Sequence, residues 1–402
     1  MPYYPGTPFD DQIFASTRND TITGGDGIDS IWALAGNDLV FGNGGNDHLY
    51  GYYGNDLMFG GAGHDSLHGE QDDDTLSGGS GNDTLSGGEG EDVLNGDSGD
   101  DVLRGGPGAD TIDGGTGVDT VSYYNAAASV VVNLGQGTGS GGDKITNVEN
   151  IYATAYADIL VGNAAANRIT AGGGNDIILG QGGNDVLLPG TGNDVVNGGT
   201  GFDIVSYEDY GSGNGFHIDL LEGSANRGNV TGRWYTYETD SLFSIEGAIG
   251  SEGQDTMTGN DAANSLSGNR GDDQIDGGAG NDTIDGGSGL DTVTGGAGAD
   301  TFVFTLQDLV ANGGPDWGVI TDFSGNDGDR IDLGELSHWY GPLSFISDAA
   351  FSASGSAEVR IAQLGFGSAV VHVDLGGDGE PDGIIAVTVS DFDLLGAEDF
   401  LL

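Results

Sequence analysis

The sequence predicts an all-β fold: a right-handed parallel β-roll, a solenoid in three arrays with β insertions between them and a C-terminal β cap. Three observations predict it. An Asp recurs every ninth residue, at Asp20, Asp29, Asp38, Asp47, Asp56, Asp65, Asp74, Asp83, Asp92, Asp101, Asp110 and Asp119. Two residues after each stands an apolar side chain, in order Ile22, Ile31, Val40, Leu49, Met58, Leu67, Leu76, Leu85, Leu94, Leu103, Ile112 and Val121. Glycines crowd the stretch before each Asp, most regularly in Gly78-Gly79-Ser80-Gly81-Asn82-Asp83-Thr84-Leu85-Ser86.

Glycine tolerates positive φ and lets backbones approach closely. The six-residue Gly-Gly-x-Gly-x-Asp segment therefore reads as a turn with inward carbonyls, and the three residues left over as a very short strand. The central apolar residue of that strand points into the solenoid and its polar neighbours point out. Two nonapeptides make one coil. Asp65 then lies over Asp83, and Asp83 over Asp101, about 4.8 Å apart. The alternate Asp residues form a second column on the opposite edge.

Ionised carboxylates that close repel by about 3 kcal/mol per pair at an effective dielectric of 20. A row of them needs cations between the turns. Carboxylate and carbonyl oxygens at a flexible site suit Ca2+, whereas Mg2+ demands stricter geometry. One small aliphatic residue per nine is a thin core, so metal binding has to supply much of the folding free energy. The expectation is a largely disordered ion-free chain and a folded calcium form. A disordered Gly/Asp-rich linker would share the composition, but not the unbroken period with an apolar residue in fixed phase.

The net charge of −55, with nine Lys and Arg in 402 residues, excludes a basic nucleic-acid footprint. It also excludes attraction to anionic membrane by charge alone. Cysteine is absent, so no disulfide framework exists. No run approaches the roughly 18 apolar residues of a transmembrane segment. Met1 to Arg18 carries Pro2, Pro5 and Pro8 and lacks a basic-then-apolar signal peptide. That leaves a cytosolic protein, or export by a route that reads the other end.

Residues 1–18 read as a leader or a cap over the first coil, with Phe9, Ile13 and Phe14 covering its open end. Array 1 spans 19–123. Its loops before Asp29, Asp65, Asp83, Asp92, Asp110 and Asp119 are complete, while Ala33-Leu34-Ala35-Gly36 before Asp38 departs from the pattern. Tyr50, Tyr52 and Tyr53 near Asp56 read as surface packing, with glycan stacking as the competing role.

In block 1, 124–157, the glycine pattern stops. The block lies among β-like segments at Val121 to Tyr124, Val130 to Leu134 and Lys144 to Ile151. Array 2, 158–203, restores the phase at Asp158, Asn167, Asp176, Asp185, Asp194 and Asp203. Block 2, 204–254, repeats block 1. Val205-Ser206-Tyr207 echoes Val121-Ser122-Tyr123, Phe216 to Leu220 echoes Val130 to Leu134, and Asp240 to Glu246 echoes Asp143 to Glu149. Each block reads as wider coils with an inserted loop, 135–142 and 223–239. Arg227, Arg233, Trp234, Tyr235 and Tyr237 cluster in the second, as a packed aromatic loop or a recognition patch.

Array 3, 255–300, carries Asp255, Asn264, Asp273, Asp282, Asp291 and Asp300. Asn167 and Asn264 hold equivalent places, each after Ala-Ala, and read as capping coils without full metal sites. Residues 301–402 turn aromatic and aliphatic. Strands are expected at Thr301 to Phe304, Val319 to Phe323, Ala369 to Leu375 and Ile384 to Val389. They would cap an end that is otherwise an exposed edge. Asp374 to Asp382 is similar to a calcium loop but lacks an oxygen side chain at Gly376 and a bidentate Glu, so an acidic hairpin turn fits as well.

The nonapeptide Gly-Gly-x-Gly-x-Asp-x-U-x, with U apolar, is the well-known calcium-binding repeat of RTX proteins, so the likeness is a match to a familiar motif and not a derivation. The chain resembles the RTX family of bacterial proteins exported by type I secretion. Residues 299–402 resemble the C-terminal domain of serralysin-type metalloproteases. The likeness rests on Ala299 to Phe304, Ile320-Thr321-Asp322-Phe323 and Asp329-Arg330-Ile331-Asp332-Leu333. Glu398-Asp399-Phe400-Leu401-Leu402 resembles that family's uncleaved secretion signal.

The resemblance implies a site between stacked turns, with two carbonyls and the Asp carboxylate from each. One site would use Gly61, Gly63 and Asp65 with Gly78, Ser80 and Asp83. The next would use Gly79, Gly81 and Asp83 with Gly96, Ser98 and Asp101. On the other edge Gly88, Gly90 and Asp92 meet Gly105, Pro107 and Asp110, and in array 3 Gly278, Gly280 and Asp282 meet Gly295, Ala297 and Asp300. The same scheme takes in Gly99, Gly114, Thr116, Asp119, Asp29, Asp47, Asp56, Asp74, Asp176, Asp185, Asp194, Asp203, Asp273 and Asp291.

No His-Glu-x-x-His motif occurs, and His64-Asp65-Ser66-Leu67-His68 lies within a coil, where its two His read as surface residues. No Gly-x-Ser-x-Gly elbow occurs. Carboxylate pairs suited to glycoside hydrolysis abound, but those in the arrays are assigned to calcium. The expected function is a secreted, non-catalytic calcium-binding protein that folds outside the cell. Its partners would be the type I secretion apparatus and an extracellular polysaccharide or cell-surface ligand. An extracellular enzyme acting on polysaccharide or peptide, or a carrier module that once served a protease domain, are the competing readings.

Overall fold

Apolar residues at one position in nine, separated by glycine-rich turns, can bury themselves only by stacking coil on coil. The structure, a computed structural model, describes residues 2–210, 215–221, 224–227, 239–305, 308, 316–347, 349–352, 355–365, 367–389 and 395–402. Two compact units divide at Gly201 and Phe202. Among the described residues no helix is long and apolar enough to cross a membrane.

In the first array the strands up to Val102–Arg104 pair in parallel with the strand 18 residues on. One sheet runs through Tyr3–Pro5, Thr21–Asp26, Leu39–Gly44, Leu57–Ala62, Thr75–Ser80, Val93–Ser98, Thr111–Asp113 and Lys144–Thr146. The alternate strands, Gln12–Phe14, Ser30–Ala35, His48–Tyr53, Ser66–Gln71, Thr84–Glu89, Val102–Arg104 and Thr120–Ser122, make a second. This register sets Leu76 beside Met58 and Leu94, and Leu85 beside Leu67 and Leu103. Every inward residue from Ile22 to Ile112 is fully buried. The sequence reading of the core and of the two Asp columns holds.

Two features differ from expectation. Residues 1–18 are not a leader lying over the stack. Tyr3–Pro5 and Gln12–Phe14 pair in register with Thr21–Asp26 and Ser30–Ala35 and are themselves a coil. Asp11 and Ile13 already stand nine residues ahead of Asp20 and Ile22. The strands from Thr21–Asp26 to Val93–Ser98 are also six residues long, not three. With an exact 18-residue register the turn backbones meet as well, so Gly63 N–H donates to the Ser80 carbonyl at 2.8 Å and Gly81 N–H to that of Ser98 at 2.8 Å.

The first block continues the coils. Lys144–Thr146 takes the place after Thr111–Asp113, and Asn150–Tyr152 that after Thr120–Ser122. Val131–Asn133 heads a fresh run through Ile159–Val161 and Ile177–Gly182 to Val195–Thr200.

In the second unit one ladder runs in parallel through Ile204–Ser206, Gly247–Ile249, Ser265–Ser267, Thr283–Asp285, Thr301–Val303, Arg330–Asp332 and Phe400–Leu401. The other runs through Phe216–Asp219, Thr256–Thr258, Gln274–Asp276, Thr292–Thr294, Asp316–Phe323 and Gly383–Val389. Pairing then turns antiparallel to Ser368–Asp374 and Glu358–Gly365. The expected C-terminal strands are present. A seven-residue helix, Gly334–Tyr340, which buries Leu336, was not anticipated.

Candidate metal centre

The column carboxylates are buried, and their two oxygens are used differently. One oxygen staples coil to coil. Oδ1 of Asp83 accepts the backbone N–H of Asp65 at 2.7 Å, and Oδ1 of Asp101 that of Asp83 at 2.7 Å. The same bond joins Asp29 to Asp47, Asp56 to Asp74, Asp74 to Asp92, Asp92 to Asp110, Asp101 to Asp119, Asp176 to Asp194, Asp273 to Asp291 and Asp282 to Asp300. Asp185 staples Asn167 in the same way.

The other oxygen, Oδ2, has no hydrogen-bond partner among the described residues at Asp29, Asp47, Asp56, Asp65, Asp74, Asp83, Asp92, Asp101, Asp110, Asp119, Asp273, Asp282, Asp291 and Asp300. It faces the first glycine of its own turn. A β-carbon on Gly78 would run into Asp83 Oδ2, and one on Gly105 into Asp110 Oδ2. The next turn brings a carbonyl to the same space. A β-carbon on Gly96 would meet both Asp101 Oδ2 and the Gly114 carbonyl, and one on Gly277 both Asp282 Oδ2 and the Gly295 carbonyl.

A buried carboxylate oxygen without a partner is costly. A row of them beside carbonyl oxygens fits a hard cation with oxygen ligands. Among the described residues no three acidic or His side chains converge as a metal cluster. Carbonyls would have to complete the donor set.

The structure brings together the turns that the sequence paired. Gly61, Gly63, Gly79, Gly81, Gly88, Gly90, Gly99, Gly278 and Gly280 all have positive φ. The carbonyls of Ser80, Ser98, Pro107, Thr116 and Ala297 accept the N–H of Gly63, Gly81, Gly90, Gly99 and Gly280. Each keeps a second lone pair. At Asp38, Asp176 and Asp194 the first glycine is replaced by Ala33, Ala171 and Pro189.

Burial pushes the column carboxylates up, and neighbouring carboxylates add to it. Asp83, Asp110 and Asp282 rise to about 7, Asp74 to about 8 and Asp273 to about 9. The stapling backbone N–H pulls the other way in each case.

At the ends of the arrays protein groups take up the second oxygen. Asp20 Oδ2 accepts the N–H and hydroxyl of Ser16, Asp158 those of Thr154, and Asp255 those of Ser251. Asn167 and Asn264 accept the N–H of Asn163 and Asn260 and donate to the carbonyls of Glu149 and Glu246. These are the two coils the sequence singled out as caps.

The closing members of the columns were missed. Asp143 staples Asp110 with Oδ1, while its Oδ2 accepts the Tyr123 hydroxyl at 2.6 Å. Glu149 and Glu246 staple Asp119 and Asp203 through Oε2, and Asp329 staples Asp300. In block 2 the Tyr207 hydroxyl donates to Asp240 Oδ2 at 2.8 Å. The repeated Val-Ser-Tyr and Asp-to-Glu segments of the two blocks were the available signal. Spacings of 33, 30 and 43 residues in place of 18 hid it.

The remaining candidates have plain packing roles. Phe14, Trp32, Tyr50 and His68 stack with centroids 4.4, 6.0 and 5.0 Å apart and rings nearly parallel. Their faces cover one another, so Tyr50 packs on the coil surface, while Tyr53 is 57% exposed. Asn82 N–H donates to His64 Nδ1, so His64 and His68 serve the coil surface. In the 374–382 hairpin, Asp374 accepts the N–H of Gly377 and Gly379, and Asp382 those of Leu375 and Gly376, as in an acidic turn. The cluster of Arg227, Arg233, Trp234, Tyr235 and Tyr237 lies outside the described residues apart from the Arg227 backbone.

The family model of the RTX calcium-binding nonapeptide repeat (4 copies) matches residues 5–40, 14–49, 24–58, 50–85, 86–121, 152–187, 190–206, 249–284 and 267–302. No curated protein matches the chain. The matched segments cover more than half of the sequence and take in the coils stapled through their Asp carboxylates. The chain therefore belongs to the RTX calcium-binding nonapeptide-repeat family, binding several Ca2+ ions between its turns.

Proposed function

We propose that this protein is exported as an unfolded acidic chain and folds outside the cell when calcium fills its turns. Its role there is structural, adhesive or interactive, without catalysis. The observation that carries the reading is the row of buried Asp Oδ2 atoms without partners among the described residues, in coil after coil. Such a row disfavours the fold where calcium is scarce and favours it where calcium is abundant, because an ion that binds only the folded state adds its binding free energy to stability. The ions are held by the carboxylates and turn carbonyls paired above, from Gly61, Gly63, Asp65, Gly78, Ser80 and Asp83 onward.

Type I export, with Glu398 to Leu402 as its signal, is supported by the likeness of residues 299–402 to serralysin-type C-terminal domains. The outer surface is the working surface in this reading. The test is far-UV circular dichroism of the full chain during Ca2+ titration, with Mg2+ as control. A disordered spectrum that turns cooperatively to β with calcium alone is expected. A β spectrum in excess chelator, unchanged by calcium, would remove the switch and the export argument with it.

A further inference from the structure

At the start of the first array a column Asp takes, on Oδ1, the backbone N–H of the residue 18 places earlier. Asp29 takes that of Asp11 at 2.8 Å, Asp38 that of Asp20 at 2.7 Å and Asp47 that of Asp29 at 2.8 Å. Counting back 18 places from Asp20 gives Pro2. Within a peptide chain proline has no N–H to give.

The register is kept nonetheless. Tyr3 lies opposite Thr21, and the Thr21 N–H donates to the Pro2 carbonyl at 2.9 Å. Pro2 is thus the residue aligned with the stapling oxygen of Asp20. Asp20 is 0% exposed. Its Oδ2 accepts the N–H and hydroxyl of Ser16 at 2.8 and 2.7 Å. Its Oδ1 is buried and has no hydrogen-bond partner among the described residues. At Asp29, Asp47 and Asp56 the orphan is instead Oδ2, facing the first glycine of the turn. At Asp20 it is the stapling oxygen, and Ala15 stands in place of that glycine. What Asp20 lacks is therefore a donor at residue 2, not an ion between turns.

A buried carboxylate oxygen without a donor is costly. A free amino group on Pro2 would supply both the donor and an opposite charge.

We propose that the folded chain starts at Pro2, the Met1–Pro2 bond having been hydrolysed, and that the Pro2 ammonium pairs with the buried Asp20 carboxylate. Water adds to the Met1 carbonyl carbon and the C–N bond breaks. The water oxygen stays on Met1 as its carboxylate, and both water hydrogens end on the Pro2 nitrogen, which becomes a secondary ammonium. The same pairing follows whether Met1 alone or a longer stretch is removed. It fastens Tyr3–Pro5, the first strand of its sheet, to the column.

Three measurements on the full chain, expressed without added N-terminal residues and folded with calcium, decide it. Mass spectrometry with N-terminal sequencing should give Pro2 as the first residue. Met1 still joined to Pro2 would overturn the proposal and leave the calcium roll intact. Diffraction should place the Pro2 nitrogen within about 4 Å of an Asp20 oxygen, the reach of an ion pair. A nitrogen turned to solvent would overturn it equally. Lys144 is the one lysine, so in Lys144→Arg the Pro2 nitrogen is the one amine left to acetylate. Acetylation should lower the unfolding temperature at saturating calcium, and the drop should vanish when Asp20→Asn is added. The same drop with and without Asp20→Asn would show that the charge does not act through Asp20. Should Asp20→Asn fail to fold, the mass and the diffraction decide.

Discussion

The two oxygens of a column Asp are placed differently. From Asp65 to Asp110 Oδ1 fixes the spacing of the coils through a backbone N–H, and Oδ2 has no hydrogen-bond partner among the described residues. Where an array begins or ends, a hydroxyl or amide replaces the ion. Thr154 and Ser251 serve at the starts of the second and third arrays, and Tyr123 closes the first. The Tyr123 phenol, pushed well above its ordinary value by burial and by Asp143, stays a donor at any relevant pH. Tyr123→Phe leaves the Asp143 carboxylate buried with an oxygen unpaired. A loss of about 1–3 kcal/mol is expected, read by urea unfolding at saturating calcium, with the bound calcium count unchanged. A variant as stable as the parent would mean that Asp143 finds another partner.

At the scale of the coil, the chain divides into two kinds of element. Each column Asp from Asp65 to Asp110 carries one orphaned oxygen. The coils around Asp143, Asp158 and Asn167 are satisfied by protein donors, the Tyr123 hydroxyl and the N–H of Thr154 and Asn163. The second kind has no need of an ion. Amide hydrogen exchange in excess chelator should therefore be slower over residues 130–170 than over 65–110. Equal exchange across both stretches would show that the roll gains or loses its structure as one unit. The aromatic stack from Phe14 to His68 belongs at this scale too, because it ties four successive coils on one face.

For the whole molecule, the carboxylates set the response to pH. In the folded, ion-free chain burial raises the column Asp values to between about 6, as at Asp92 and Asp101, and about 9, as at Asp273. A carboxyl whose value is raised by folding contributes stability that is fully present below the unfolded value. That stability is lost as pH climbs through the folded one. In chelator the β signal should therefore be stronger at pH 5 than at pH 8, and fade between them. Saturating calcium reverses the dependence, since protons then compete with the ion for the same oxygens. Circular dichroism against pH with and without calcium checks both signs. A chelated chain more β-like at pH 8 would contradict the buried, uncompensated carboxylates.

The period of nine was enough by itself to establish the coil, the two Asp columns, the buried apolar row and the demand for a cation. Each depends only on a local spacing repeated without error, from Ile22 to Ile112 for the core and from Asp29 to Asp119 for the carboxylate columns. The two capping Asn residues were legible for the same reason. The tertiary structure alone decided how the columns end. Asp143, Glu149, Glu246 and Asp329 reach their partners across insertions of irregular length. No local period encodes which donor meets a carboxylate when the intervening chain is not a whole number of coils. Whether Oδ2 meets a hydroxyl, a carbonyl or an ion is then set by packing.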